Sequence, residues 1–288
     1  MNNQLKDQSS PTAMTHDEHD QEQAQATVLA MFSENLITLP PSQNTLDSIA
    51  NRLHDRVQAS IAKHADLRTV RSIEGVWRDL VVGIRFKPLW ESPLGNSVLV
   101  EFAAGASLPL HRHNHLEEGI VLSGSLQLDD KELTQFDYHV SPAGSRHGRI
   151  QSKQGALAYL RGTSLGQPLA MFKEVMGGLL PKNNMASVSV QTHQGDWIEV
   201  QKGLFQKDLW TDGIVVSRFF RLEPGTTIAG HYHSLDEECM ILNGELFLGD
   251  ILLQGGDYQL APAGTEHLDI FSDTGALLYV RGAISETA

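Results

Sequence analysis

Two stretches of the chain carry metal-ligand residues in one and the same spacing. His111, His113 and Glu117 stand as His-x-His-x3-Glu, and His231, His233 and Glu237 repeat the arrangement. Residues two apart on a β-strand point to one face, so each His-x-His pair aims both imidazoles at a common point. A turn in the strand lets the glutamate four residues on approach that point. Further along, Pro142-x-Gly144-x-x-His147 and Pro262-x-Gly264-x-x-His267 each place another histidine after a rigid turn, on what should be a neighbouring strand. One histidine on a strand is more often a hydrogen-bonded structural residue than a ligand; the joint pattern, present twice, reverses that weighting. Three neutral imidazoles and a carboxylate suit a borderline divalent metal. A closed tetrahedron of such ligands favours zinc in a structural or sensing role, and open positions permit Lewis-acid or oxygen chemistry. No separate nucleophile or acid–base pair stands out, so the sequence assigns no catalytic residue.

These side chains need β-structure to position them. From about Gly75 the chain consists of short apolar runs broken by Gly and Pro, with little helical period, which indicates an all-β region. The displacement that carries His111 onto His231, 120 residues, also carries Trp77 onto Trp197, Trp90 onto Trp210, Gly105 onto Gly225 and Pro142 onto Pro262. It carries Tyr159-Leu160-Arg161-Gly162 onto Tyr279-Val280-Arg281-Gly282 as well, and no gap is needed. A self-match of this length marks duplicated domains rather than a solenoid, whose units are much shorter. Between the copies, a stretch with Gly177-Gly178, Pro181 and Asn183-Asn184 reads as a loop-rich linker.

Ahead of the duplicated region, Val28, Leu29, Phe32 and Leu36 recur at helical spacing until Pro40-Pro41 stop them. A second helix is expected from Asn44, whose side chain can cap the first turn, with Leu46, Ile49, Leu53, Val57 and Ile61 on one stripe. That stripe is expected to pack on the barrels or in a homodimer contact, with a partner-binding role as the alternative. The first nineteen residues, rich in Asn, Gln, Ser, Asp and Glu, lack the apolar content that offsets ordering entropy and are expected to be disordered. His16 and His19 fall in that segment and are read as solvated rather than as ligands.

Composition narrows the function classes. With 22 Lys and Arg against 35 Asp and Glu, the formal charge of −13 repels phosphate backbones and anionic lipid, so neither nucleic acid nor membrane is an expected partner. No apolar run is long enough to span a bilayer, and no signal peptide is recognisable. The one cysteine, Cys239, excludes an intrachain disulfide and suggests a reducing, cytoplasmic setting. It lies on an apolar run and is read as a buried small hydrophobe.

The two segments resemble the paired motifs of the cupin superfamily, Gly-x5-His-x-His-x3-Glu-x6-Gly and Gly-x5-Pro-x-Gly-x-x-His. The second copy fits throughout, with Gly256 opening its later motif; the first carries Phe136 where that glycine should be. Within the superfamily, three features resemble the cupin domain of ChrR-type anti-sigma factors: the three-residue spacer, the adjacent Glu118 and Glu238, and the closing Tyr-x-Arg-Gly. The resemblance implies an all-β fold of two tandem cupin barrels, double-stranded β-helices of the jelly-roll kind, behind a short N-terminal helical extension. Its expected divisions are a tail (1–19), the helical extension (20–70), a first cupin domain (71–165), a linker (166–190) and a second cupin domain (191–288). It implies one divalent metal ion per barrel, held by His111, His113, Glu117 and His147 in the first and by His231, His233, Glu237 and His267 in the second. Zinc is the first expectation, with iron, manganese or nickel as alternatives. Glu117 and Glu118 would face opposite ways on a regular strand, as would Glu237 and Glu238; the motif spacing selects Glu117 and Glu237. His115 has no counterpart, since Leu235 takes its place, and is read as a loop residue.

Two functions follow from the resemblance. One is a ChrR-like, anti-sigma-factor-related regulator of a stress response. Here the His-x3-Cys-x2-Cys element of such anti-sigma domains is absent, because no cysteine precedes Cys239, so a sigma factor would have to engage the apolar stripe Leu46 to Ile61. The other is a cupin-type, iron-dependent dioxygenase or related enzyme acting on a small chelating molecule. A homodimer is expected in either case.

Overall fold

In the computed structural model, the described residues are 23, 25–28, 30–31, 40–179 and 186–284. The expectations for residues 1–19, for Leu29, Phe32 and Leu36, and for Pro181 and Asn183-Asn184 lie outside them. The described residues of 23–31 are helical, and helix α1 runs Gln43–Lys63, with Ser42 Oγ accepting from the Thr45 backbone N–H at its start. The cap is thus Ser42, two residues ahead of the expected Asn44. Leu46, Ile49, Leu53, Val57 and Ile61 form an exposed stripe.

Residues 60–288 form one compact unit made of two barrels. The main sheet of barrel 1 has seven strands in the order Val188–Val190, Tyr138–Ser141, Glu117–Gly124, Ala156–Thr163, Asn96–Phe102, Ile84–Trp90, Arg78–Val81. Barrel 2 repeats this order in Arg68–Val70, Tyr258–Ala261, Glu237–Leu248, Ala276–Ala283, Val215–Leu222, Leu204–Thr211, Ile198–Gln201. All pairings are antiparallel, the alternating pattern of the strands placing one apolar face inside each barrel.

The outermost strand of each main sheet comes from the segment preceding the other barrel. Arg68–Val70 pairs with Tyr258–Ala261, and Val188–Val190 pairs with Tyr138–Ser141. Matched latches hold these exchanged strands. Asp257 accepts from the Ser72 N–H at 2.7 Å and Asp137 from the Thr192 N–H at 2.6 Å. The buried Lys87 and Lys207 ammonium groups donate to the carbonyls of Ser72 and Thr192, close to the faces of the repeated Trp77 and Trp197. Strand Arg68–Val70 therefore serves barrel 2, and Val188–Val190 serves barrel 1, rather than an extension and a linker. The linker also contains helix α2, Pro168–Gly178, which begins on a proline whose missing N–H is harmless in a first helical turn.

Three apolar cores result: one inside each barrel, and one between them that includes Tyr138, Tyr159, Tyr258 and Tyr279. Phe136 adopts a φ of 66° where Gly256 has 90°, so the turn is kept in both copies, with a non-glycine residue in the left-handed region in the first.

Candidate metal centres

Each His-x-His pair opens on a two-residue strand that pairs with the strand bearing the third histidine. His231 lies opposite His267 across one ladder, and His111 opposite His147 across the other. Directly opposed residues have Cα atoms about 4.5–5.5 Å apart, so the first and third histidines of each motif meet by register alone. In barrel 2, ring centroids are separated by 4.9 Å for His231–His233, 5.3 Å for His231–His267 and 4.3 Å for His233–His267. The Glu237 carboxylate lies 3.9 Å from His233 Nδ1 and 3.7 Å from His267 Nδ1. One ligand atom from each of His231, His233, Glu237 and His267 falls within 4.8 Å of all the others. In barrel 1 the same holds for His111, His113 and Glu117, with His113 Nδ1 at 3.6 Å from the Glu117 carboxylate. The side chain of His147 lies outside the described residues.

Ligands around a metal at ~2.0–2.2 Å sit roughly 3–4 Å from one another, so a small closure of these groups would seat one ion. The electrostatics of barrel 2 fit it. Both ring nitrogens of His267 are buried without a hydrogen-bond partner, an arrangement that costs ~1–3 kcal/mol per group unless something occupies it. Burial, with His233 and His231 beside it, pushes the His267 imidazole down to about 2, so the ring is neutral and has a lone pair to offer. In barrel 1, burial acts to lower the His113 imidazole, but Glu117 and Glu174 together prevail and raise it. The barrel 2 residues therefore fit a divalent metal, and barrel 1 brings together three residues of the same set.

The adjacent acids turn away from these centres. Glu118 accepts hydrogen bonds from Tyr138, Ser217, Tyr279 and Arg281, and Glu238 accepts from Ser97, Tyr159, Tyr258 and Arg161. Each carboxylate thus reaches into the opposite barrel, and the Tyr-x-Arg-Gly repeat supplies its partners. Burial acts to raise the Glu238 carboxyl, but the Arg161 charge and the donors around it prevail and lower it. Strand alternation, ligand inside and interface outside, separates Glu237 from Glu238.

The barrels differ in how much space adjoins the histidines. Barrel 2 contains a cavity of about 340 Å³ that reaches His231, Glu237 and His267 and is walled by Leu204, Phe220, Leu246, Leu253 and Ile270. The corresponding space in barrel 1 is about 50 Å³. There, Leu160 leans over Gly119 so closely that a Cβ on the glycine would lie 2.9 Å from it. Helix α2 packs on the strand of His111, with Arg146 donating to the Gly178 carbonyl at 2.9 Å and Glu174 accepting from the Asn114 N–H. Cys239 faces the barrel 2 cavity and is half-buried rather than fully enclosed; burial and the nearby Glu237 push its thiol up. His115 sits in a bend between strands.

Sequence reasoning passed over His139, which borders the small space in barrel 1 and meets Ser189 at 2.8 Å and Ser141 at 3.2 Å. Burial lowers it to about 4. His139 and His267 both lie below the ordinary 6.5, so their contribution to stability is complete above that value and is lost as the unfolded chain takes up protons first. Between ~6.5 and about 4 the metal-free protein is expected to lose up to about 1.4 kcal/mol per pH unit for each of these two histidines, offset in part by His113, whose raised imidazole adds stability as pH falls. Thermal melts at pH 7 and pH 5 test this; an unchanged or higher midpoint at pH 5 contradicts it.

Among solved structures, the chain is similar to a Nostoc punctiforme protein provisionally named a dioxygenase. The identity is 14% and the TM-score 0.60, over 77% of this chain and 85% of that one. It is also similar to oxalate decarboxylase of Bacillus subtilis in a deletion mutant, with 16% identity and a TM-score of 0.54, over 75% of this chain and 76% of that one. At these identities the likeness establishes the fold. No curated protein matches the chain significantly. The profile of the ChrR cupin-like domain matches twice, over residues 67–165 and 185–284, and both matches include the exchanged strand that precedes the barrel. With two copies covering most of its length, the chain belongs to the ChrR cupin-like family and is a bicupin.

Proposed function

We propose that this bicupin binds a divalent metal in each barrel and that barrel 2 is its working site, where a small molecule meets the metal. The observation that carries this reading is the cavity of about 340 Å³ bordered by three of the four ligand residues of barrel 2. Small-molecule sites are mostly apolar hollows of about 300–1,000 Å³ with a few convergent polar groups. A metal bound there would polarise a chelating oxygen as a Lewis acid. His231, His233, Glu237 and His267 would hold the ion, and the leucine-rich wall would exclude water. Barrel 1, filled by Leu160 and covered by helix α2, is assigned a closed, structural centre.

Zinc is the preferred ion, and a ChrR-like regulatory output, sensed at barrel 2 in a cytoplasmic protein, is the preferred role. No helix among the described residues is long and apolar enough to cross a membrane. The exposed stripe Leu46 to Ile61 is the surface for a sigma factor or a second copy. The roomy cavity favours one further reading, a metal-dependent dioxygenase or related enzyme.

Metal analysis of the purified protein tests the common part. Two equivalents are expected, and His231→Ala with His233→Ala should remove one. Two equivalents retained in that variant would end the second-site assignment. X-ray absorption then separates the outputs: four-coordinate zinc supports sensing, whereas six-coordinate iron with oxygen uptake on adding acetylacetone supports the enzyme.

A further inference from the structure

The two barrels share a fold but not the row of side chains beneath the ligands. In barrel 2, backbone register aligns Gln259, Cys239, Val280 and Arg218 across four adjacent strands. Cys239 lies two residues beyond Glu237, so this row sits one pleat away from the metal-ligand glutamate on the same face. All four residues border the cavity. The same row in barrel 1 is His139, Gly119, Leu160 and Val98. A guanidinium thus stands in barrel 2 where its duplicate has a fully buried valine.

We infer that the barrel 2 cavity binds a small carboxylate with an apolar body, its charged end held by Arg218 on the metal side of the cavity. This rests on barrel 2 being the working site. The fold does not require the arginine, because barrel 1 builds the same strand pairings around Val98. Arg218 Nε donates to Asp208 at 2.9 Å and Nη2 to the Ile284 carbonyl at 3.1 Å, leaving Nη1 without a partner among the described residues. Asp208 is largely exposed, so water screens its charge more than it screens a group inside the barrel. A divalent ion on three neutral imidazoles and one carboxylate would remain net positive. Together with Arg218 it makes the apolar hollow attractive to an anion. A carboxylate matches the planar fork of a guanidinium, and the surrounding leucines accept a hydrocarbon body. Gln259, on the same row, is 1% exposed with its Nε2 taken by Thr69 and its Oε1 without a partner; that acceptor calls for an N–H or O–H donor on the body of the ligand, leaving the carboxylate to Arg218.

Isothermal titration of the full chain with phenylacetate, and with its neutral isostere phenylacetamide, tests the inference on zinc-loaded and metal-stripped protein. Phenylacetate should bind the loaded protein at least tenfold more tightly than phenylacetamide. Arg218→Val, which copies barrel 1, should weaken phenylacetate about ten- to a hundredfold, and Arg218→Lys should recover part of the loss. Metal content and thermal midpoint are measured on each variant to establish that it folds. If zinc is held but phenylacetate fails to bind, or binds wild type and both variants alike, the carboxylate site is overturned and the metal reading stands. If no metal is held yet phenylacetate binds in an Arg218-dependent way, the metal reading falls and the carboxylate site stands.

Discussion

Replacing Glu238 with alanine is expected to destabilise the protein by about 3–5 kcal/mol, with a fall in thermal midpoint of roughly 10 °C. Glu238 is 5% exposed, and its carboxylate is the common acceptor for Arg161 and three hydroxyls drawn from both barrels. Removing it strands a guanidinium whose side chain is only 12% exposed. Uncompensated burial of charge, more than the loss of the pair's own attraction, makes such a change severe. Glu238→Gln should be milder, and Glu238→Gln with Arg161→Met should recover much of the loss, because apolar replacement of a whole buried pair is often neutral. The pH dependence has a definite sign. Glu238 lies below the ordinary 4.5 in the folded state, so its stabilisation is complete above that value and is lost as pH falls through the lower folded one. Denaturant melts from pH 7 to pH 3 should show a flatter acid limb in Glu238→Gln. A loss under 1 kcal/mol in the alanine variant would show that the network contributes little to joining the barrels.

The candidate ligand residues were legible because the duplication writes the same spacing twice, and strand alternation then aims His231 and His233 together without knowledge of the rest of the fold. The register that brings His267 opposite His231 was legible only as a turn followed by a histidine. The partners of Glu118 and Glu238 were visible as the repeated Tyr-x-Arg-Gly, yet nothing local indicates that Arg161 serves the carboxylate of the other barrel. The exchanged strands Arg68–Val70 and Val188–Val190 are three residues long, too short for any periodic signal, and their partners lie far along the chain. Helix α2 was hidden by Gly177-Gly178, which punctuate its end and read as loop. The difference between the cavities is partly written in Val98 against Arg218 and Gly119 against Cys239. Its volume is not, because it depends on how Leu160 packs over Gly119.

Metal removal supplies the other large effect, and its pattern across variants distinguishes a built site from a chance cluster. A ligand that binds only the folded state at a thousand times its dissociation constant stabilises by about 4 kcal/mol, worth ~10 °C for domains of this size. Chelation should therefore lower the thermal midpoint of the wild type by that order, and readdition of zinc should restore it. His267→Leu should abolish this response in barrel 2. It should also leave the metal-free protein more stable than metal-free wild type, since leucine removes two buried ring nitrogens that have no hydrogen-bond partner. A histidine kept for packing would behave in the opposite way, its replacement lowering stability with and without metal. The comparison of the two stripped proteins thus decides whether His267 is maintained by the fold or by what the fold holds.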